Sequence, residues 1–242
     1  MKSMYRDRIC ALFIPIVYLM ATGCSIVRET PKKEFKDGYY TGKVEKKKQL
    51  VYIDVLGDDF RIFPSRKVSG QKVIDSVTTF KVYPKERFVI DQESMSFQKN
   101  SFDIDFLVTP LKYRPSKGRV PSQLNATLNG SVYLGYRTDR YIVRYEQNPL
   151  KVSNRILDHY GFSVGVFGGF GNAAITPTTT AGLLSSEYDG VVFAKGVAGI
   201  IAVNNFTVGL AVGFDQLLDN NKRYWLYESK PWFGLTFGLN LN

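Results

Sequence analysis

Hydrophobic and polar positions alternate with a period of two from about residue 101 to the C-terminus. In the run Asn205 to Leu217, Phe206, Val208, Leu210, Val212 and Phe214 share one face, and Thr207, Gly209, Ala211, Gly213 and Asp215 share the other. The last run repeats the pattern, with Phe233, Leu235, Phe237, Leu239 and Leu241 against Trp232, Gly234, Thr236, Gly238 and Asn240. Phe162, Val164, Val166 and Phe170 oppose Gly161, Ser163, Gly165 and Gly169, and Leu128, Val132, Leu134 and Tyr136 oppose Thr127, Asn129, Ser131, Tyr133 and Gly135. A period of two is the signature of a strand whose faces meet different surroundings. A soluble sandwich would carry charges on its water face. Here the second face is Gly, Ala, Ser, Thr and Asn, which suits a narrow barrel interior with the apolar face turned to lipid. The runs last roughly 10–14 residues, close to what a tilted strand needs to cross a bilayer. Tyr188, Trp225, Tyr227 and Trp232, near run ends, are candidates for an interfacial aromatic girdle.

Turn signals at Pro115–Gly118, Thr138–Arg140, Gln147–Pro149, Asn172–Ser186, Asn204–Asn205 and Asp219–Lys222 divide this region. They predict strands near 101–113, 123–137, 140–147, 159–171, 188–203, 205–217 and 228–242. Bacterial single-chain barrels have even strand counts, so an eighth is expected from 87–98 or from a split of 224–242. Upstream, Val51, Ile53 and Val55 alternate with Tyr52 and Asp54, Gly57-Asp58-Asp59 signals a turn, and Phe60 to Phe63 resumes the alternation, which predicts a hairpin. Val77–Tyr83 and Phe88–Asp91 are further short candidates. The expected fold is therefore all-β: an antiparallel up-and-down barrel of about eight strands, transmembrane, preceded by a small β-rich N-terminal unit. The expected organisation is a signal at 1–23, a basic tether at 24–49, the small unit at 50–100 and the barrel at 101–242.

Composition sharpens the address. The chain has 242 residues, 32 basic against 22 acidic side chains, and 2 Cys. The aromatic and apolar content excludes a disordered chain, and the Cys count excludes a disulfide-framed mini-protein. Lys2, Arg6 and Arg8 precede an uncharged stretch from Ile9 to Ala21, followed by Ala21-Thr22-Gly23-Cys24. A basic start, a short apolar run and small residues before a cut site describe a secretory signal, and the run is too short for a spanning helix. Small residues directly before a Cys resemble the lipobox of bacterial lipoproteins. That resemblance implies cleavage before Cys24 and acylation of Cys24 with chains such as palmitate, in a protein lipid-anchored at the outer membrane. The alternative is an ordinary cleaved signal with an incidental Cys.

Charge is unevenly distributed. From Gly161 onward, Lys195, Lys222, Arg223 and Lys230 face five acids, so the positive excess lies earlier in the chain. Lys32, Lys33, Lys36, Lys43, Lys46, Lys47 and Lys48 crowd the tether. A lipid on Cys24 would hold them against an anionic membrane surface, with outer-membrane lipid as their partner. Residues 25–100 could also dock other envelope proteins. A solvated linker is the plainer reading of such a charge run. Nucleic acid is not expected, since no aromatic-interleaved RNA motif or zinc knuckle occurs.

Gly130-Ser131-Val132-Tyr133-Leu134-Gly135-Tyr136-Arg137-Thr138-Asp139, the Phe214-Asp215-Gln216-Leu217-Leu218-Asp219 turn and the ending Lys230-Pro231-Trp232-Phe233-Gly234-Leu235 resemble small outer-membrane barrel proteins of Bacteroidota-type bacteria. The resemblance covers residues 101–242, implies a barrel in the outer membrane and carries over no activity.

Candidate chemistry is sparse. His159 is the one His, with Asp158 beside it and Ser163 four residues on. In a strand that spacing is about 13 Å, too far for a His–Ser hydrogen bond, so His159 reads as a strand-starting interfacial residue. Asp103 and Asp105 share a face opposite Phe102, Ile104 and Phe106, and read as carboxylates on a water-facing side. Arg137, Asp139, Arg140 and Arg144 read as a charge cluster around a turn. Arg137 and Asp215 both fall on the interior face and are expected to pair there and plug the barrel. No Cys or His cluster has metal-ligand spacing, and no cofactor motif occurs. The expected function is a non-enzymatic envelope lipoprotein with a structural or docking role. The alternatives are a soluble lipocalin-like barrel that binds an apolar ligand in the periplasm and a lipid-modifying outer-membrane enzyme.

Overall fold

A computed structural model describes residues 35–44, 47–75, 81–87, 94–118, 120–204 and 206–240. The expected signal at 1–23, the acylation site Cys24, and Lys32, Lys33 and Lys46 lie outside the described residues.

The described chain is all-β, apart from a single 3-10 turn at Asn220–Arg223. Five short strands come first: β1 (Gly38–Val44), β2 (Lys47–Leu56), β3 (Asp59–Val68), β4 (Gln71–Ile74) and β5 (Lys81–Tyr83). The two-residue β6 (Glu86–Arg87) precedes β7 (Met95–Arg114) and the short β8 (Gln123–Ala126). Then come β9 (Asn129–Gln147), β10 (Ser153–Ile175), β11 (Tyr188–Val203), β12 (Phe206–Leu217) and β13 (Pro231–Asn240). The pairings between them are antiparallel.

Strand neighbours run β13-β12-β11-β10-β9-β7, and β13 also pairs with β7, so six strands form a circuit of hydrogen bonds. From β7 the sheet continues outward through β1, β2 and β3 to β4. The expected count of about eight is thus corrected to six in the circuit. Thr138-Asp139-Arg140 is not a turn: β9 runs straight through it, because Asp139 faces inward onto Arg137 and His159 and needs no solvent. Nor does 224–242 split, since residues 224–230 form the loop before β13. β7 begins at Met95 and passes through the expected boundary at residue 100, and β1 joins it at Thr41–Gln98 and Gly42–Phe97.

Local sequence explains the hairpins. Ser69 and Gly70 both hold positive φ, 49° and 83°, which is the two-residue turn whose twist matches flanking strands. Gly57 supplies a positive φ of 59° between β2 and β3.

β9 and β10 are longer than β11 and β12 and project past the Asn204 turn, where the N-terminal sheet packs on them. That contact buries Phe35, Tyr40, Val51, Ile53, Phe60, Ile62, Tyr83, Met95, Phe97, Tyr141 and Val143 in one apolar core. Inside the circuit lies a second core of Leu107, Tyr133, Phe167, Ala194, Ala198, Ile200, Ala211 and Trp232. Beneath the loops at the far end lies a third, with Ile175, Val192, Leu217, Trp225 and Tyr227.

Candidate functional site

The alternation read from sequence is realised with its polarity inverted relative to a soluble domain. Along the circuit, Phe102, Leu134, Phe162, Val164, Ile201, Leu210 and Phe233 face outward and are exposed, while the small and polar partners face inward and are buried. The inner face carries Asp103, Asp105, Lys112, Arg114, Arg137, Asp139, His159 and Asp215, none more than 7% exposed. Asp103 and Asp105 are therefore corrected from a water-facing side to the interior. Phe102, Ile104 and Phe106 alternate with them and take the outer face.

Two features of the backbone aim these charges. Between β13 and β7 the register shifts: Leu235 pairs with Leu111 and Phe237 with Val108, an extra residue on β7. This bulge at Thr109–Pro110 moves the inward set on β7 from odd to even numbers, so Lys112 and Arg114 turn inward. On β10, glycine makes the room: a Cβ at Gly161 would collide with the guanidinium of Arg137, and one at Gly165 with the backbone of Leu134 and Gly135.

The interior charges form two clusters separated by apolar side chains. Toward the loops, Asp215 is the acceptor at the centre. Lys112 Nζ donates to both its oxygens at 2.9 and 3.1 Å, Trp232 Nε1 donates at 2.9 Å, and Arg114 donates to Oδ2. Lys112 Nζ also donates to Asn129 Oδ1 at 2.9 Å and lies 4.3 Å from the Trp232 ring centroid. The Arg114 guanidinium lies over the Trp225 and Tyr227 rings at 5.1 and 5.5 Å. Cation–π contacts and one carboxylate thus compensate two buried cations.

Toward the N-terminal sheet, Arg137 Nε donates to Asp139 Oδ1 at 2.7 Å, and Asp103 lies 3.9 Å from its Nη1. His159 Nε2 donates to the same Asp139 oxygen at 2.7 Å, and its ring stacks on Tyr141 at 4.8 Å. Arg137 and Asp215 are both interior, as the alternation indicates, but each is engaged in its own cluster. The expected Arg137–Asp215 pair is corrected to Arg137–Asp139 and Lys112/Arg114–Asp215. His159 is corrected from an interfacial residue to a fully buried one, and Asp158 faces outward to Arg144 at 2.9 Å. Arg140 also points outward, donating to Ser96 Oγ at 3.0 Å.

Ser163 Oγ is bonded to Tyr133 OH at 2.8 Å, whereas His159 is bonded to Asp139, so nucleophile and base serve different partners. Among the described residues, no group of three or more His, Cys, Asp or Glu side chains is placed to hold a metal ion. Of the expected membrane-facing lysines, Lys36 lies just before β1, where its backbone N–H and C=O both meet Tyr40 OH. Lys43 sits directly opposite Lys48 on the β1–β2 ladder, and Lys47 opposite Val44.

Sequence reading missed Lys112, Arg114 and the Asp139–His159 contact. Pro110, after which the alternation changes phase, is the signal for the first two. The odd-numbered spacing of Arg137, Asp139 and Tyr141 is the signal for the last. No protein-family model, curated protein or solved structure matches the chain.

Proposed function

We propose that the six-strand circuit is a closed barrel spanning the outer membrane, plugged by its own side chains, and that it anchors the N-terminal sheet in the cell envelope. On this reading the protein is a non-enzymatic lipoprotein with a structural or docking role. The observation that carries the reading is the inversion of polarity. Eight ionisable side chains are buried inside the circuit, while Leu210 is 72% exposed and Phe102 61% exposed on its outside. In water such a molecule would expose a band of large apolar side chains, interrupted by Lys195, while burying eight ionisable side chains, against both usual preferences. In hydrocarbon the outward band is solvated, and the inward charges pair out of reach of lipid.

The band has an edge. Along β7 and β9 the outward residues change from Phe102 and Tyr136 to Asn100 and Thr138, then to Gln98 and Arg140. Beyond this line lie the first apolar core and the N-terminal sheet, which pack as an ordinary water-soluble unit. Six strands are fewer than the eight of the smallest familiar outer-membrane barrels, and the lumen is correspondingly narrow. Inward glycines such as Gly165, Gly169 and Gly196, where a Cβ would strike neighbouring backbone, support so tight a curl. The two charged clusters and the apolar core between them fill the interior, which favours an anchor over a pore.

Membrane fractionation followed by gel mobility of unboiled and boiled samples tests this reading. The expected result is sedimentation with the outer membrane and a heat-dependent shift. A processed protein that is monomeric and soluble in plain buffer overturns it, in favour of a soluble barrel.

A further inference from the structure

A cleft of about 770 Å³ lies beside the junction of β1 with β7, at the edge of the outward apolar band. Lys48, Lys67, Lys72 and Lys99 line it together with Gln98, Asn100 and Tyr136, and among the described residues no carboxylate does. The lysines come from four strands, β2, β3, β4 and β7, so the fold itself brings them together.

Their placement works against stability. Lys67 pairs directly with Lys72 across the β3–β4 ladder, and Lys43 pairs with Lys48 across β1–β2 just beside the cleft. Like charges directly opposite one another are destabilising in a sheet. Partial burial, and then the nearby charge of Lys36 and of Lys72, lower the pKa of Lys99 against the pull of Asp139. Two of the ammonium groups are held over aromatic rings: Lys72 Nζ is 4.7 Å from the Tyr39 centroid and Lys99 Nζ is 5.2 Å from that of Tyr40. Tyr39 OH also donates to the Lys72 carbonyl at 3.2 Å. The cations are thus positioned by the sheet, and among the described residues none of the four cleft lysines has a carboxylate partner within salt-bridge distance.

We propose that this cleft binds the phosphodiester headgroup of an anionic glycerophospholipid, resting on the membrane reading above. Tyr136 and Phe102 mark the last outward apolar row, and the next outward polar residues of β7, Asn100 and Gln98, line the cleft with Lys99 between them in the chain, at the level where lipid phosphates lie beside a spanning protein. Lysine suits this ligand, since its compact ammonium binds phosphate as a point charge and can pivot on its stem. A bound headgroup leaves its acyl chains in the bilayer against Phe102 and Tyr136, so lipid and free phosphate are distinguishable ligands.

The test is native mass spectrometry of the full processed protein in detergent micelles, titrated with phosphatidylglycerol, phosphatidylcholine or inorganic phosphate. Preferential retention of phosphatidylglycerol is expected. Lys67→Gln/Lys72→Gln/Lys99→Gln should weaken it about 100-fold, at about fivefold per lysine. Lys151→Gln/Lys222→Gln, in loops away from the cleft, should leave it unchanged. Without lipid, Lys67→Gln should melt no lower than wild type, because it relieves the Lys67–Lys72 repulsion; this separates loss of binding from loss of fold. Retention that survives the triple substitution overturns the proposal. So does inorganic phosphate binding as tightly as the lipid, or a DNA oligonucleotide displacing the lipid at matched phosphate concentration. A protein that needs detergent yet shows no lipid preference refutes the cleft alone. One that is soluble without detergent refutes the membrane reading and the lipid assignment with it.

Discussion

Replacing Asp215 with Asn probes the charged interior most directly. Asp215 is fully buried and takes hydrogen bonds from Lys112, Arg114 and Trp232. The substitution keeps the shape but removes the one carboxylate beside two buried cations. Taking away one partner of a buried pair costs about 3–5 kcal/mol, because the remaining charge is left without solvent or counter-ion. A lysine can escape by releasing its proton, and from the ordinary lysine pKa that costs about 4.6 kcal/mol at pH 7. That route sets a ceiling close to the upper figure. Urea unfolding of the protein in lipid vesicles, followed by tryptophan fluorescence, measures the loss. Both tryptophans of the chain, Trp225 and Trp232, lie against this cluster, so the signal reports the perturbed layer. Adding Lys112→Met should restore roughly half of the loss, since Arg114 keeps its contacts with the Trp225 and Tyr227 rings. Asp158→Asn, whose partner Arg144 is solvent-exposed, should change nothing measurable. A loss for Asp215→Asn of less than about 1 kcal/mol, or a double variant no better than the single one, would refute the reasoning.

Further outcomes follow from the same geometry. Leu210→Arg should impair insertion by about 2–4 kcal/mol, measured by folding into vesicles, whereas in a soluble protein this exposed site would accept Arg without cost. Gly165→Ala should prevent the heat-modifiable form on gels, because its Cβ meets the backbone of Leu134 and Gly135. Gly199→Ala, with open space around it, should not. Tyr40 belongs to the N-terminal core, where burial, opposed by a hydrogen bond with Lys36 and aided by Asp139 and Asp37, raises its pKa to about 12. The folded state therefore holds this proton where the unfolded chain releases it. Its contribution is complete below about pH 10 and is lost as pH rises through 12. Phenolate absorbance that rises together with loss of the N-terminal sheet checks this; Tyr40 ionising at pH 10 without unfolding would contradict it.

The face assignment was legible in the sequence because period-two alternation runs through the circuit strands, changing phase on β7 only at its bulge. Phe206 to Phe214 and Phe162 to Phe170 needed no tertiary information to be paired with their small-residue faces. The strand count was not legible, for a physical reason. Thr138-Asp139-Arg140 looks like a turn if polar residues are assumed to seek water. It is mid-strand here because the inner face supplies Arg137 and His159 as partners. The same assumption placed Asp103 and Asp105 in solvent. The lysine cleft was hidden differently, since Lys48, Lys67, Lys72 and Lys99 are spread over 52 positions and only sheet order unites them.

The placement of the charged clusters bears on how the circuit closes. A ladder of backbone hydrogen bonds does not by itself fix register, and strands rich in glycine slip readily. The seam between β13 and β7 is short and irregular: β13 has only 10 residues, and this ladder carries the bulge. Asp215 on β12 reaches across this seam to Lys112 and Arg114 on β7, and Trp232 on β13 donates to the same carboxylate. One residue thus ties three consecutive strands at a single register. A slip of one residue on β7 would turn both Lys112 and Arg114 outward and leave Asp215 with Trp232 as its remaining donor. On the other side of the circuit, Arg137 and Asp139 on β9 meet His159 on β10 in the same manner. Buried charge of this kind contributes little net stability but discriminates strongly between registers, its best-attested structural use. That accounts for charge persisting in the interior, and it predicts that Asp215→Asn slows correct closure as well as weakening the closed form.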